Sequence, residues 1–171
     1  MAGEISILAA VAKLAEMTIA VKLEEHHAMT RACKLVQREA KAEIGHYQER
    51  AGQFGAWAPL AESTLAEKER LGYAPPDNPL LREGHLRDSI EISVSAAGAA
   101  STEGVIGSNS DIAVYQELGT SRIPPRSFLG SAAVHTAPKV AEVLGAGVVS
   151  ALIGRQVAGG SLPIMGTAES G

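Results

Sequence analysis

His26, His27, His46 and Cys33, with glutamates among them, are the side chains of this chain best suited by type to hold a metal ion. A helical metal pair needs two such ligands four residues apart on one face, and here Arg31 stands at that spacing from His27. The pattern therefore predicts solvated histidines on a helix and no metal site. His85, Asp88 and Ser89 supply the residue types of a hydrolytic triad. They are crowded into one short stretch, whereas a triad is assembled from separate elements, and no nucleophile elbow accompanies them. Lys34, Arg38 and Lys41 form a basic stripe able to touch phosphate, but Glu39 and Glu43 dilute it, and neither a phosphate-binding GxxxxGK[ST] nor a strand-linked GxGxxG occurs.

Composition narrows the remaining classes. The 171 residues carry a net charge of -4, which argues against a protein whose main work is gripping phosphates. Cys33 is the only cysteine, so there is neither an intrachain disulfide nor a thiolate cluster. Hydrophobic residues make up 46% but aromatics only 4%, so the core must be built from small aliphatic side chains that each bury little area. Such a chain is expected to complete its buried surface with partner subunits. The apolar run Ile5–Ala12 has no positive residue before it and meets Lys13 and Glu16 directly after, unlike a signal peptide. No stretch reaches the roughly 18 uncharged apolar residues of a spanning helix, so the chain reads as soluble, without membrane contact and not exported.

The elements that must position these side chains follow from periodicity. Ile5 to Ile44 has helical spacing throughout and predicts one long helix, or two joined near Glu24–His27, with Gly45 as the stop. A loop carrying Gly52, Gly55, Trp57 and Pro59 leads to a short helix with Thr64 and Glu67 at capping-box spacing, ended by Gly72. Pro75–Pro79 is turn-rich. Ile90, Ile92 and Val94 alternate with polar residues as a half-buried strand, and Thr102–Gly107 is its antiparallel partner. Ile112–Leu118 fits either a third strand or a short helix. Ser127 is placed to cap a last helix that Pro138 should kink or break. The expected fold is α+β: a small antiparallel sheet packed against long N-terminal and C-terminal helices, with long proline-containing loops. Residues 1–50 form a helical region, 51–154 the α+β core, and 155–171 a flexible tail.

Three segments join an apolar anchor to a proline: Trp57-Ala-Pro59-Leu60, Pro79-Leu80-Leu81-Arg82 and Ile123-Pro124-Pro125-Arg126-Ser-Phe128-Leu129. Proline lowers the entropy lost when a loop is held in one shape, and Trp, Phe and Arg are enriched in interface hot spots. The alternative is that Trp57 and Phe128 plug the chain's own core.

The order "WAPLAESTLAEKERLG", "PLLREGHLRDSI", a hairpin with "GVIGSN", "YQELGT" and "IPPRSFLG" resembles the small virion morphogenesis proteins of long-tailed bacteriophages, the tail-component or tail-completion family. The likeness spans Trp57 to Val134; it departs at Pro125, where a small residue is usual, and at Glu117-Leu118, where an aromatic commonly precedes the glycine. The resemblance implies a non-catalytic subunit of the phage neck that forms a sixfold or twelvefold ring joining head to tail, without a cofactor. Its partners would be copies of itself and neighbouring neck and tail proteins, with genome DNA passing through unbound; it would be assembled in the host bacterial cytoplasm and reside in the virion. Predicted contact residues are Trp57, Pro59, Leu60, Leu80, Leu81, Tyr115, Gly119, Thr120, Ile123, Pro124, Pro125, Arg126, Phe128 and Leu129. Two lesser readings remain: a nucleic-acid-binding accessory protein of phage assembly using Lys34, Arg38 and Lys41 with the arginine loop, and a hydrolase using His85, Asp88 or the histidine-rich helix.

Overall fold

The computed structural model describes residues 7–96 and 101–152, so the expected 155–171 tail and the middle of the hairpin turn lie outside the described residues. A single helix, α1, runs from Ile7 to Glu43. No joint interrupts it at Glu24–His27. The Glu24 carboxylate is buried there, and Arg31 Nη2 donates to it across two turns at 2.9 Å, so the polar stretch is a satisfied part of the helix. Gly45, at φ 100°, ends the helix and donates its N–H to the Pro79 carbonyl at 2.8 Å.

Three short helices follow in the connecting chain: α2 (Glu62–Arg70), α3 (His85–Asp88) and α4 (Asp111–Leu118). The capping box expected at Thr64 and Glu67 does not form, because the helix starts earlier: Ala61 is the N-cap and has no side-chain bond to offer. Ile112–Leu118, open between strand and helix in the sequence, is helical. It starts from extended Ser110 and stops at Gly119, whose φ of 74° no helix continues.

Strands β1 (Ile90–Ala96) and β2 (Thr102–Ser108) form an antiparallel hairpin with Ile90 opposite Ser108, Ile92 opposite Ile106 and Val94 opposite Gly104. Glu91, Ser93 and Ser95 face solvent, as the alternation predicts. The hairpin lies against α1. A Cβ on Gly104 would stand 2.4 Å from Cys33 Sγ, so the sheet approaches the helix more closely than any side chain permits. Gln37 Nε2 on α1 donates to the Ile90 carbonyl at 2.7 Å and fixes the register of that contact.

The last helix, α5 (Phe128–Leu152), packs antiparallel along α1: Glu43 meets Ser131 and His135 near one end, and Ala28 meets Gly147 near the other. Pro138 does not break it. Pro138 and Val134, four residues earlier, both lie on the exposed side, where water can take the carbonyl that proline leaves unbonded. Val36, Ala40 and Ile44 of α1, Trp57, Ile90 of β1, and Phe128 of α5 make one core. The result is the expected α+β arrangement, with α1 as its spine.

Candidate functional site

The chemistry of this chain centres on the joint between α4 and α5. Glu117, in the last turn of α4, reaches the first turn of α5. Its Oε2 accepts the N–H groups of Phe128 and Leu129 at 2.8 and 2.9 Å; its Oε1 accepts the Gly130 N–H at 2.9 Å and the Ser127 hydroxyl. The first N–H groups of a helix have no partner within it and carry a partial positive charge, so a carboxylate is the fitting acceptor. Ser127 was expected to cap α5 itself; instead it donates its hydroxyl to the glutamate that does.

The loop between the two helices is equally fixed. Thr120 N–H donates to the Ile123 carbonyl at 2.8 Å, and Arg126 N–H to the Gln116 carbonyl at 2.7 Å. Gly119 is required by space as well as by φ, since a Cβ there would lie 2.8 Å from Pro125 N. The Arg126 side chain is only 5% exposed. Its Nη2 donates to the carbonyls of Ala58 at 2.9 Å and Pro59 at 3.2 Å, tying the last loop to the Trp57 segment. Burial pulls this guanidinium below its ordinary pKa.

These ties correct the expectation that the loop presents its large residues outward. Phe128 is 0% exposed, and Trp57 and Arg126 are buried; all three anchor the chain to itself. Leu60, Leu80, Leu81, Gly119, Ile123 and Leu129 are half-buried. Pro59, Tyr115, Thr120, Pro124 and Pro125 face solvent. Thr120 Oγ1 is itself engaged, accepting the N–H groups of Arg122 and Ile123.

The three proline-linked segments nevertheless converge. Together with α2 and α4 they surround a half-open cleft of about 720 Å³, with Leu60, Leu80 and Ile123 among its apolar walls. Lys68, 2% exposed, lines it and donates Nζ to the Asn78 carbonyl at 2.6 Å; burial lowers its pKa. Gln116 lines it as well, and its Oε1 is a buried acceptor without a hydrogen-bond partner. Sequence reasoning missed both Lys68 and Gln116 as site residues, because nothing in their local pattern shows that loops from four segments meet over them.

A second cluster joins α1 to α5. Glu43, 2% exposed, accepts the Ser131 hydroxyl and pairs with His135 Nδ1 at 3.0 Å, while Glu39 stands beside them. Burial raises the Glu43 pKa, and the two hydrogen bonds oppose that shift. Glu39, Glu43 and His135 offer ligand-type atoms within 4.8 Å of one another. Each Glu43 oxygen already has a protein partner, so the arrangement is complete as an interhelical clamp. The histidines singled out from the sequence are not in it: His26, His27 and His46 are exposed.

Large apolar side chains are left in solvent chiefly on α1 and α4, with Val105 of β2 and Val148 and Val149 of α5 exposed as well. From Val11 to Leu23 of α1, every side chain except Val21 is exposed, Leu8 before them is 83% exposed, and the run includes Leu14, Ile19 and Leu23. On α4, Ile112, Val114, Tyr115 and Leu118 are exposed, Leu118 by 74%. No family model, curated protein or solved structure matches the chain. No helix among the described residues is long and apolar enough to cross a membrane.

Proposed function

We propose that this chain is a structural, non-catalytic subunit of a bacteriophage neck, a tail-completion or head–tail joining protein that closes into a ring with copies of itself. The observation that carries the reading is the set of exposed apolar side chains on the first half of α1: Leu8, Val11, Leu14, Met17, Ile19 and Leu23. A monomer seldom leaves so extended an apolar surface in water, whereas a subunit built to be covered by neighbours must. Two further features support it. The motif order from Trp57 to Leu129 resembles that family, and the joint those motifs build is rigid, as a part with fixed geometry in an assembly requires. Residence in the virion and a sixfold or twelvefold ring are parts of the same proposal.

The test is the native mass of the chain alone and mixed with purified tails, for the wild type and for Leu14→Glu/Ile19→Glu. A ring formed on tails by the wild type and lost in the variant supports the reading. A monomer in every mixture overturns it. Phe128→Ala is unsuited to this experiment, because emptying a fully buried aromatic site costs about 3–5 kcal/mol and would unfold the subunit before it tested an interface.

A further inference from the structure

The cleft beside α4 has features that folding alone does not use. Four cationic side chains line it, Lys68, Arg82, Arg122 and Arg126, against one carboxylate, Glu83. Glu83 is already engaged by the Tyr73 hydroxyl at 2.9 Å and by His85 at 2.9 Å. Arg82 pairs with Glu67 at 3.3 Å. Lys68 and Arg126 are buried cations that make no ion pair among the described residues: they donate to backbone carbonyls, and Asp77 acts on Lys68 only from beyond ion-pair distance. An ammonium has three donors and a guanidinium five, so both retain donors beyond those bonds. A buried charge without an opposite charge is costly, and a buried acceptor without a donor adds to that cost at Gln116 Oε1.

We propose that this cleft docks an extended, acidic peptide segment of a partner protein. One carboxylate of the segment meets Lys68 and Arg126 at the back of the cleft, with Arg122 at its rim. Flanking apolar side chains rest on Leu60, Leu80 and Ile123, and a backbone N–H of the segment donates to Gln116 Oε1. The ligand must bring negative charge, a hydrogen-bond donor and apolar surface together, and an extended acidic peptide carries all three. A nucleic-acid backbone fits less well. Its phosphates call for exposed, hydrated cations along a track, whereas here two of the four cations are buried between apolar walls. The proposal concerns the isolated subunit and holds whether or not the ring closes.

The experiment selects short random peptides by display on the full chain and measures affinity by fluorescence polarisation. Selected sequences are expected to carry Asp or Glu between apolar residues. Replacing that acid by its amide should weaken binding about tenfold, the loss of one charge-assisted hydrogen bond. Lys68→Met and the surface change Arg122→Glu should weaken it similarly, so misfolding of one variant leaves the other decisive. Gln116→Met separates binding from folding: it is expected to weaken the peptide several-fold while raising Tm, because an unpaired buried acceptor is removed. Selection without acidic residues, or affinity indifferent to both Lys68→Met and Arg122→Glu, overturns the proposal. Duplex DNA that displaces the peptide and is itself lost with Arg122→Glu transfers the cleft to nucleic acid. Self-association of the chain that the peptide blocks and that is lost with Arg122→Glu assigns it to a second copy; either result overturns a separate peptide partner.

Discussion

Glu117 holds four donors at the start of α5, three of them backbone N–H groups. Glu117→Ala leaves the first N–H groups of a 25-residue helix without that acceptor, and is expected to cost about 2–3 kcal/mol in urea unfolding, with Glu117→Gln between it and wild type. Glu43 gives a prediction of opposite character. Its pKa is raised by burial, so as pH climbs past the ordinary glutamate value of about 4.3 the unfolded chain ionises while the folded one keeps its proton. The folded state then binds more protons, and stability falls with rising pH. Ser131, His135 and Glu39 face the carboxyl, and the first two moderate the effect. Unfolding midpoints followed from about pH 4 to pH 8 should decline less in Glu43→Gln than in wild type. At this scale the sequence is only partly legible. The special standing of Arg126 and Phe128 is visible in their neighbours, but their direction, inward, is not. Glu117 gives no local sign that it caps a helix beginning eleven residues later.

Elements are more legible than residues where periodicity runs long. Thirty-seven residues of helical spacing in α1 leave little choice of structure, and the alternation of β1 places its inward face correctly. The eight residues of α4 are too few for either period to decide, and the glycine that ends it settles the matter through tertiary geometry. The closeness of α1 and α5 is a matter of small residues, which composition reveals only as abundance. Gly147 makes the point testable. Adding a methyl in a helix interior gains up to about 1 kcal/mol in helix propensity. At Gly147, however, the new Cβ would stand 2.6 Å from the Ala28 Cβ. Overpacking of that kind costs about 1–3 kcal/mol, so Gly147→Ala should destabilise, and Gly147→Ala/Ala28→Gly should recover much of the loss. Gly145, two residues earlier, has nothing within 4 Å of where a Cβ would be. Gly145→Ala should therefore stabilise by about 0.5–1 kcal/mol, and equal effects at both positions would show that the helices do not approach as described.

At the scale of the whole molecule, α1 has an interior on one side of its C-terminal half, whereas its described side chains from Val11 to Leu23 are exposed except for Val21. The core is small and carries few aromatics, as composition implies, and apolar surface stands exposed chiefly on α1 and α4, with smaller contributions from β2 and α5. That contrast was half legible in the sequence. The need for covering surface follows from the small side chains, whereas the proline loops expected to provide it turned out to brace the subunit internally. The distinction predicts two separable classes of variant. Leu14 and Ile19 make no contribution to the described core, so Leu14→Glu/Ile19→Glu should leave urea unfolding of the dilute chain within about 0.5 kcal/mol of wild type. The same change removes two aliphatic contacts from any neighbour that covers α1, each worth about 1.5–3 kcal/mol when buried, and places charges there instead. Association, followed by sedimentation over a concentration series with and without tails, should be lost in the variant while its fold persists. If both variant and wild type stay monomeric in every mixture, the exposed run of α1 is not an assembly surface, and the neck reading loses the observation on which it chiefly stands.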